Sequence, residues 1–152
     1  MSESIVVGTD GSSSAMLAVN EAARVARALG AELHLVSAFR PLRGAHVSGD
    51  TAHEFQTLPD SKVEATLSQA AAVVSSHGVP VSTHAVEREP VDALLGVADE
   101  VSANLIVVGS KGMHGARRLT LGNVPNQVSH RARCSVLIVA TDRPDGSAAA
   151  GS

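Results

Sequence analysis

The sequence predicts a single α/β domain, with five parallel strands in an open sheet and four helices covering both faces. Three observations carry that prediction. Two short runs, residues 5–7 and 105–108, are apolar at every position, as strands buried on both faces must be. Between the strands, apolar residues recur every three or four positions, the period of a helix with one buried face. The two patterns alternate along the chain, which is the order of consecutive βαβ units. A length of 152 residues suits one domain with a sizeable core.

Taken in order, Ile5, Val6 and Val7 stop at Gly8, and Thr9, Asp10, Gly11 and three serines follow, a strand, a turn and a helix N-cap. Ser12, Ser13 and Ser14 suit capping better than they suit phosphate acceptance. Met16, Val19, Ala23, Ala26 and Leu29 then keep helical spacing up to Gly30, placed where a C-cap glycine belongs. The second strand spans 33–39. After it Pro41, Gly44, Gly49 and Pro59 punctuate a long polar stretch that the pattern makes either a mobile loop or a lid. Val63, Leu67, Ala70 and Val74 restore the helical period before Gly78, and 79–86 alternates as a half-buried strand would. Pro90 opens a helix carried by Val91, Leu94, Leu95, Ala98 and Val101. The run 105–108 ends at Gly109, 122–133 reads as the last helix, and 136–139 as the last strand. The domain is therefore expected over 1–141, with 142–152, rich in Ala, Gly, Ser and Asp, as a disordered tail.

Composition removes several functions. Twelve basic against 15 acidic residues give a net charge of -3, without the basic excess of a dedicated nucleic-acid binder. Phe39 and Phe55 are the only aromatic residues beside the histidines, so stacking platforms for single strands are lacking too. No apolar run is long enough to span a bilayer, and no basic region precedes the first apolar stretch, so the chain is expected in the cytoplasm without a membrane partner. The single cysteine, Cys134, cannot form an internal disulfide and reads as a buried thiol. The seven histidines show no metal-ligand spacing; His130 reads as a helix-end charge, and His114 as either a surface residue or a neighbour of a bound phosphate.

Ligands of open parallel sheets bind beyond the carboxyl ends of the strands, where successive crossovers go to opposite faces. The two most apolar strands are the natural central pair, and each ends in a glycine turn, Gly8-Thr9-Asp10-Gly11 and Gly109-Ser110-Lys111-Gly112. The second turn continues through Met113, His114, Gly115, Arg117 and Arg118 to Gly122, Asn123 and Val124 at a helix start. A strand, a glycine loop and a helix N-terminus together form an anion cradle, because free amides and the positive end of the helix dipole face the same point. Asn123 suits the N-cap and Pro125 the first turn. The string is neither a Walker loop nor the dinucleotide fingerprint, since Gly109, Gly112 and Gly115 are spaced GxxGxxG. Asp10 has two readings: a ligand for ribose or for Mg²⁺ on a triphosphate, or a turn aspartate bonding its own backbone. No Ser/His/Asp or Cys/His constellation can be assembled from spacing.

The opening VVGTDGS, the GSKG with its nine-residue spacer to GNV, and the closing RARCSVLIV resemble the universal stress protein family over nearly the whole chain. That resemblance implies a sheet of order 3-2-1-4-5, the adenine nucleotide alpha hydrolase-like arrangement, and a stress-response role. It implies ATP as ligand, with Gly8, Thr9 and Asp10 near ribose and adenine, and Ala38 meeting the adenine edge through its backbone. Gly109, Ser110, Gly112, Met113, Gly115, Gly122, Asn123 and Val124 would surround ribose and phosphates. The ATP-binding branch has Ser or Thr where this sequence has Asn123, which also admits AMP or cyclic AMP. The resemblance further implies a homodimer through Val136, Leu137, Ile138 and Val139, since so apolar a strand at a sheet edge invites pairing. The expected role is a nucleotide-dependent sensor in which occupancy orders 40–60 and the glycine loop for an unidentified protein partner. The competing readings are a slow ATPase or phosphotransferase and a nucleotide-free dimeric scaffold; flavin electron transfer ranks last.

Overall fold

A computed structural model of the chain describes residues 2–40, 61–110 and 123–141, and the structural statements below concern those residues. Nine elements follow in the expected order: β1 Ser4–Gly8, α1 Ser13–Leu29, β2 Glu32–Phe39, α2 Ser61–Ser76, β3 Val81–Glu87, α3 Pro90–Glu100, β4 Leu105–Gly109, α4 Asn123–Arg131 and β5 Ser135–Val139. The long polar stretch after β2, most of the glycine loop and the tail from 142 onward lie outside the described residues.

Local chemistry accounts for the ends of α1. Ser12 is extended, with φ −75° and ψ 162°, and its hydroxyl oxygen accepts the Ala15 N–H at 3.1 Å. This is the capping expected of the serine run. At the other end Gly30 takes φ +66°, its N–H donating to the Arg27 carbonyl while Ala31 N–H donates to the Ala26 carbonyl at 2.8 Å. That pair of bonds is the Schellman arrangement, and the left-handed conformation it requires is the reason for glycine here. Two expected boundaries differ by two residues. β3 begins at Val81 rather than 79, and α4 ends at Arg131 rather than 133, where the chain turns into β5. Asn123 is the first residue of α4 rather than the residue before it, and its Oδ1 accepts from Gln127 Nε2 at 3.0 Å.

The five strands are parallel and ordered β3-β2-β1-β4-β5. Side chains alternate across the sheet, so β1 sends Ile5 and Val7 to one core and Val6 to the other. The first core joins Ile5, Val7, Leu33, Leu35 and Val107 to α1 and α2; the second joins Val6, Val36, Ile106 and Val108 to α3 and α4. Buried alanines at 15, 18, 22, 23 and 26 give α1 a low-profile face toward the sheet. The crossovers through α1 and α2 cover one face and those through α3 and α4 the other, so the direction switches between β1 and β4. A crevice is therefore expected beyond the carboxyl ends of that central pair.

The two sheet edges differ. β3 alternates half-buried and exposed residues, whereas Val136, Leu137, Ile138 and Val139 of β5 are all half-buried. A groove beside β5 is bounded by Leu17 and Glu21 of α1 and by 137–140, and Leu17 is 50% exposed. Among the described residues, no helix is long and apolar enough to cross a membrane.

Candidate functional site

Two adjoining, solvent-open hollows occupy the crevice at the β1–β4 switch. One, of about 440 Å³, lies between the starts of α1 and α4 and is bounded by Gly8, Ser12, Ser14, Leu94, Gly109 and Val124, among others. The other, of about 330 Å³, lies over β1 and β2 and is bounded by Thr9, Asp10, Val36, Ala38 and Pro90. Gly8 and Leu94 belong to both. Ser12 caps α1, Pro90 begins α3, and Val124 and Pro125 sit in the first turn of α4. Three helix N-termini thus converge on one crevice, and the unpaired amides and dipoles at such ends favour an anion.

Of the residues expected at the site, Gly8, Thr9, Asp10, Ala38, Gly109 and Val124 line these hollows. Ser110 stands directly beyond β4, and Asn123 at the start of α4 is exposed. Gly112, Met113, Gly115 and Gly122 lie outside the described residues, as do Lys111, His114, Arg117 and Arg118.

The turn after β1 is held by its own side chains. Thr9 is buried, its N–H donates to the Val36 carbonyl at 2.9 Å, and its hydroxyl oxygen accepts the Gly11 N–H at 3.1 Å. Asp10 Oδ1 accepts the Ser12 N–H at 2.9 Å. The backbone-bonding reading of Asp10 is therefore observed, and its second carboxylate oxygen is what it can offer a ligand or cation. Gly11 has φ +86°, and a β-carbon there would lie 3.0 Å from Thr66 Oγ1, so both conformation and space call for glycine.

The turn after β4 is also internally bonded. Ser110 N–H donates to the Val139 carbonyl at 2.7 Å, and Ser110 Oγ accepts the Thr141 N–H at 3.1 Å. The Ser110 amide is thus committed to the sheet, and its hydroxyl hydrogen is the donor it can turn outward. A β-carbon on Gly109 would meet Thr141 at 3.0 Å, and one on Gly8 would meet Leu94 at 3.1 Å. These two glycines admit neighbouring side chains of the protein itself, a packing role that their place in a glycine motif does not reveal.

Several lining residues escaped the sequence reading as site residues: Ser14, Val36, Pro90, Leu94 and Pro125. The two prolines carried a signal, since proline in a first turn marks a helix start, and helix starts surround this type of crevice. Leu94 carried none, because its helical spacing marks only the buried face. Thr141, which packs against Gly109, was equally silent.

Away from the crevice, burial and the nearby Asp99 carboxylate push the Cys134 thiol above its ordinary range, as suits a half-buried cysteine. Among the described residues, no group of three or more His, Cys, Asp or Glu side chains converges to hold a metal ion.

The sequence profile of the universal stress protein family matches residues 1–140. Universal stress protein Rv1636 of Mycobacterium tuberculosis is 39% identical over 150 residues, covering 91% of this chain and 97% of that one. Universal stress protein MJ0531 of Methanocaldococcus jannaschii is 30% identical over 137 residues, covering 89% and 80%. Among solved structures, a universal stress protein in complex with cAMP superposes with a TM-score of 0.73 at 34% identity, covering 93% of this chain and 98% of that chain.

Proposed function

This chain belongs to the universal stress protein family, and from that premise we propose that it binds an adenine nucleotide in the crevice between β1 and β4 and acts as a nucleotide-dependent regulator. The observation that carries the reading is the meeting of three helix N-termini on a crevice whose floor is apolar and whose rim is polar. Leu94, Val36 and Ala38 supply flat aliphatic walls for a purine, and the starts of α1 and α4 border the other hollow, on the phosphate side. Thr9, Asp10 and Ala38 border one hollow, a grouping suited to ribose and the adenine edge. Gly109, Ser110, Asn123 and Val124 flank the other side, with Gly112, Met113, Gly115 and Gly122 completing the loop between them in sequence.

The ligand is ATP in this reading, with Mg²⁺ reaching Asp10 only through the phosphates. Cyclic AMP is the second reading. It is favoured by the cAMP complex of the 34% identical relative and by Asn123, which brings an amide Nδ2 donor where the ATP-binding branch has a hydroxyl. In this reading occupancy is read at Ser110 and Asn123, the described residues on either side of the glycine loop in sequence. A ligand shifts such a surface only by its differential affinity for two states.

The protein acts as a homodimer through β5, a reading supported by the half-buried run 136–139 at a sheet edge beside the exposed Leu17. Isothermal titration with ATP, AMP and cyclic AMP tests the ligand. Saturable binding of ATP that weakens at least tenfold in Asp10→Ala supports the reading, tighter cyclic AMP transfers it to the second, and no heat with any of them removes it. Turnover of ATP that vanishes in Asp10→Ala would make the protein an enzyme instead. Sedimentation of Ile138→Lys, expected as monomer where the parent is dimer, tests the edge pairing.

A further inference from the structure

His34 of β2 and His84 of β3 meet on the sheet face that α3 covers. The parallel register sets His34 opposite Ser82 and His84 opposite Val36, so the rings are diagonal neighbours. His34 Nδ1 lies 3.0 Å from His84 Nε2, with ring centroids 5.2 Å apart and planes tilted by 41°. His34 is only 6% exposed, whereas His84 is half-buried. The second ring nitrogen of His34, Nε2, is buried without a hydrogen-bond partner, and Glu32 Oε2 stands 3.7 Å from it. That separation is too long for a hydrogen bond but short enough for the carboxylate to act on the ring.

These distances assign the protons. A bare lone pair on His34 Nε2 would face a carboxylate, so the proton belongs on Nε2, and Nδ1 is left as an acceptor. His84 Nε2–H must then be the donor. A first proton added to the pair goes to the outer nitrogen of His84 and leaves this bond in place, now charge-assisted. A second proton can go only to His34 Nδ1. There it removes the acceptor and sets two N–H groups and two positive charges against each other.

We propose that the His34–His84 pair is an acid-released clasp, holding the edge strand β3 on β2 near neutral pH and freeing it when the pair takes up its second proton. β3 pairs with the sheet on one side only, through the register 81–87 against β2, so it is the strand that can leave without breaking the centre. The charges acting on the pair among the described residues are Glu32 of β2 and Glu100 at the end of α3. Val6, opposite His34 in β1, is apolar, and Ser82 does not titrate in this range. Burial first, and then repulsion between the two rings once both are charged, hold His84 below its ordinary value, with Glu100 opposing them, in keeping with a pair that resists its second proton. The proposal is independent of what the crevice binds.

Hydrogen exchange of the full chain at about pH 7 and about pH 5, corrected for intrinsic rates, tests it. Amides of 81–87 should lose protection on the order of tenfold relative to those of β1. In His84→Gln, whose amide can donate to His34 Nδ1 but cannot be charged, protection should not depend on pH. Unchanged protection in the parent, or an equal loss in the variant, overturns the clasp. Imidazole ¹⁵N spectra of the parent give a second reading that needs no variant. His34 should carry its proton on Nε2 at neutral pH and the pair should titrate in two coupled steps; a proton on Nδ1 of His34, or two independent steps, overturns it.

Discussion

Gly109→Ala adds one methyl group at the carboxyl end of β4, and the structure says what that methyl meets. It would lie 3.0 Å from Thr141 Cγ2 and 3.2 Å from Oγ1, where carbon contacts ordinarily settle at about 3.5–4.0 Å. Thr141 is only 6% exposed, and its N–H is tied to Ser110 Oγ, so it has little room to retreat. Overpacking of this kind costs about 1–3 kcal/mol. Gly109 is not among the glycines with positive φ, so alanine brings no backbone strain. It instead contributes about 0.4–1 kcal/mol by restricting the unfolded chain. The net expectation is destabilisation of about 0.5–2 kcal/mol. In a Thr141→Ala background both close atoms are gone and the remaining contact, to Cβ, is an ordinary 3.6 Å. There the same substitution should be neutral or stabilising by up to about 1 kcal/mol. The four proteins of this cycle can be compared by urea unfolding followed by far-ultraviolet circular dichroism, since the chain has no tryptophan or tyrosine. A coupling energy below about 0.5 kcal/mol would refute the packing account of Gly109. Should Gly109→Ala leave stability intact and abolish ligand binding, close approach of a ligand would explain the glycine instead.

Ser12→Ala should lower stability by about 1 kcal/mol through loss of the α1 cap, whereas Ser13→Ala, exposed beside it, should change it by less than about 0.5 kcal/mol; equal effects in thermal unfolding would contradict the cap. Cys134, with its thiol pushed up by burial and by Asp99, should react with iodoacetamide at neutral pH on the order of tenfold more slowly in the native protein than in urea, and equal rates would contradict that environment. Because His84 in the fold sits below its ordinary 6.5, the unfolded chain takes up this proton first. Its contribution to stability is therefore complete above that pH and is lost as pH falls from there through the lowered value. The drop in urea midpoint over this window should shrink in His84→Gln, and an unchanged drop would assign it to other groups.

The order of the nine elements was legible because local rules dominate there. Continuous apolar runs mark strands buried on both faces, three-to-four spacing marks one-sided helices, and Gly30 and Ser12 mark the ends of α1 by conformation and capping that depend on adjacent residues alone. The place of the crevice was legible for a related reason. A parallel sheet built of βαβ units has its ligand end and its switch point set by topology, so Gly8, Thr9, Asp10 and Gly109 could be assigned to it before any coordinates. The family motif extended that assignment to Ala38, which borders the same hollow as Asp10.

What a linear pattern could not supply were contacts between positions far apart in the chain. Leu94 filling the space beside Gly8, Thr141 doing the same at Gly109, and Ser110 giving its amide to Val139 each depend on how two elements come to lie against one another. His34 and His84 are the sharpest instance, fifty positions apart and each unremarkable in its own strand. The sequence by itself determined which segments become strands and helices and at which end of the sheet the crevice opens, because those follow from periodicity and handed connections. Only the tertiary structure decided which side chains share a hydrogen bond or a volume, because register and packing depend on where every other element has already come to rest.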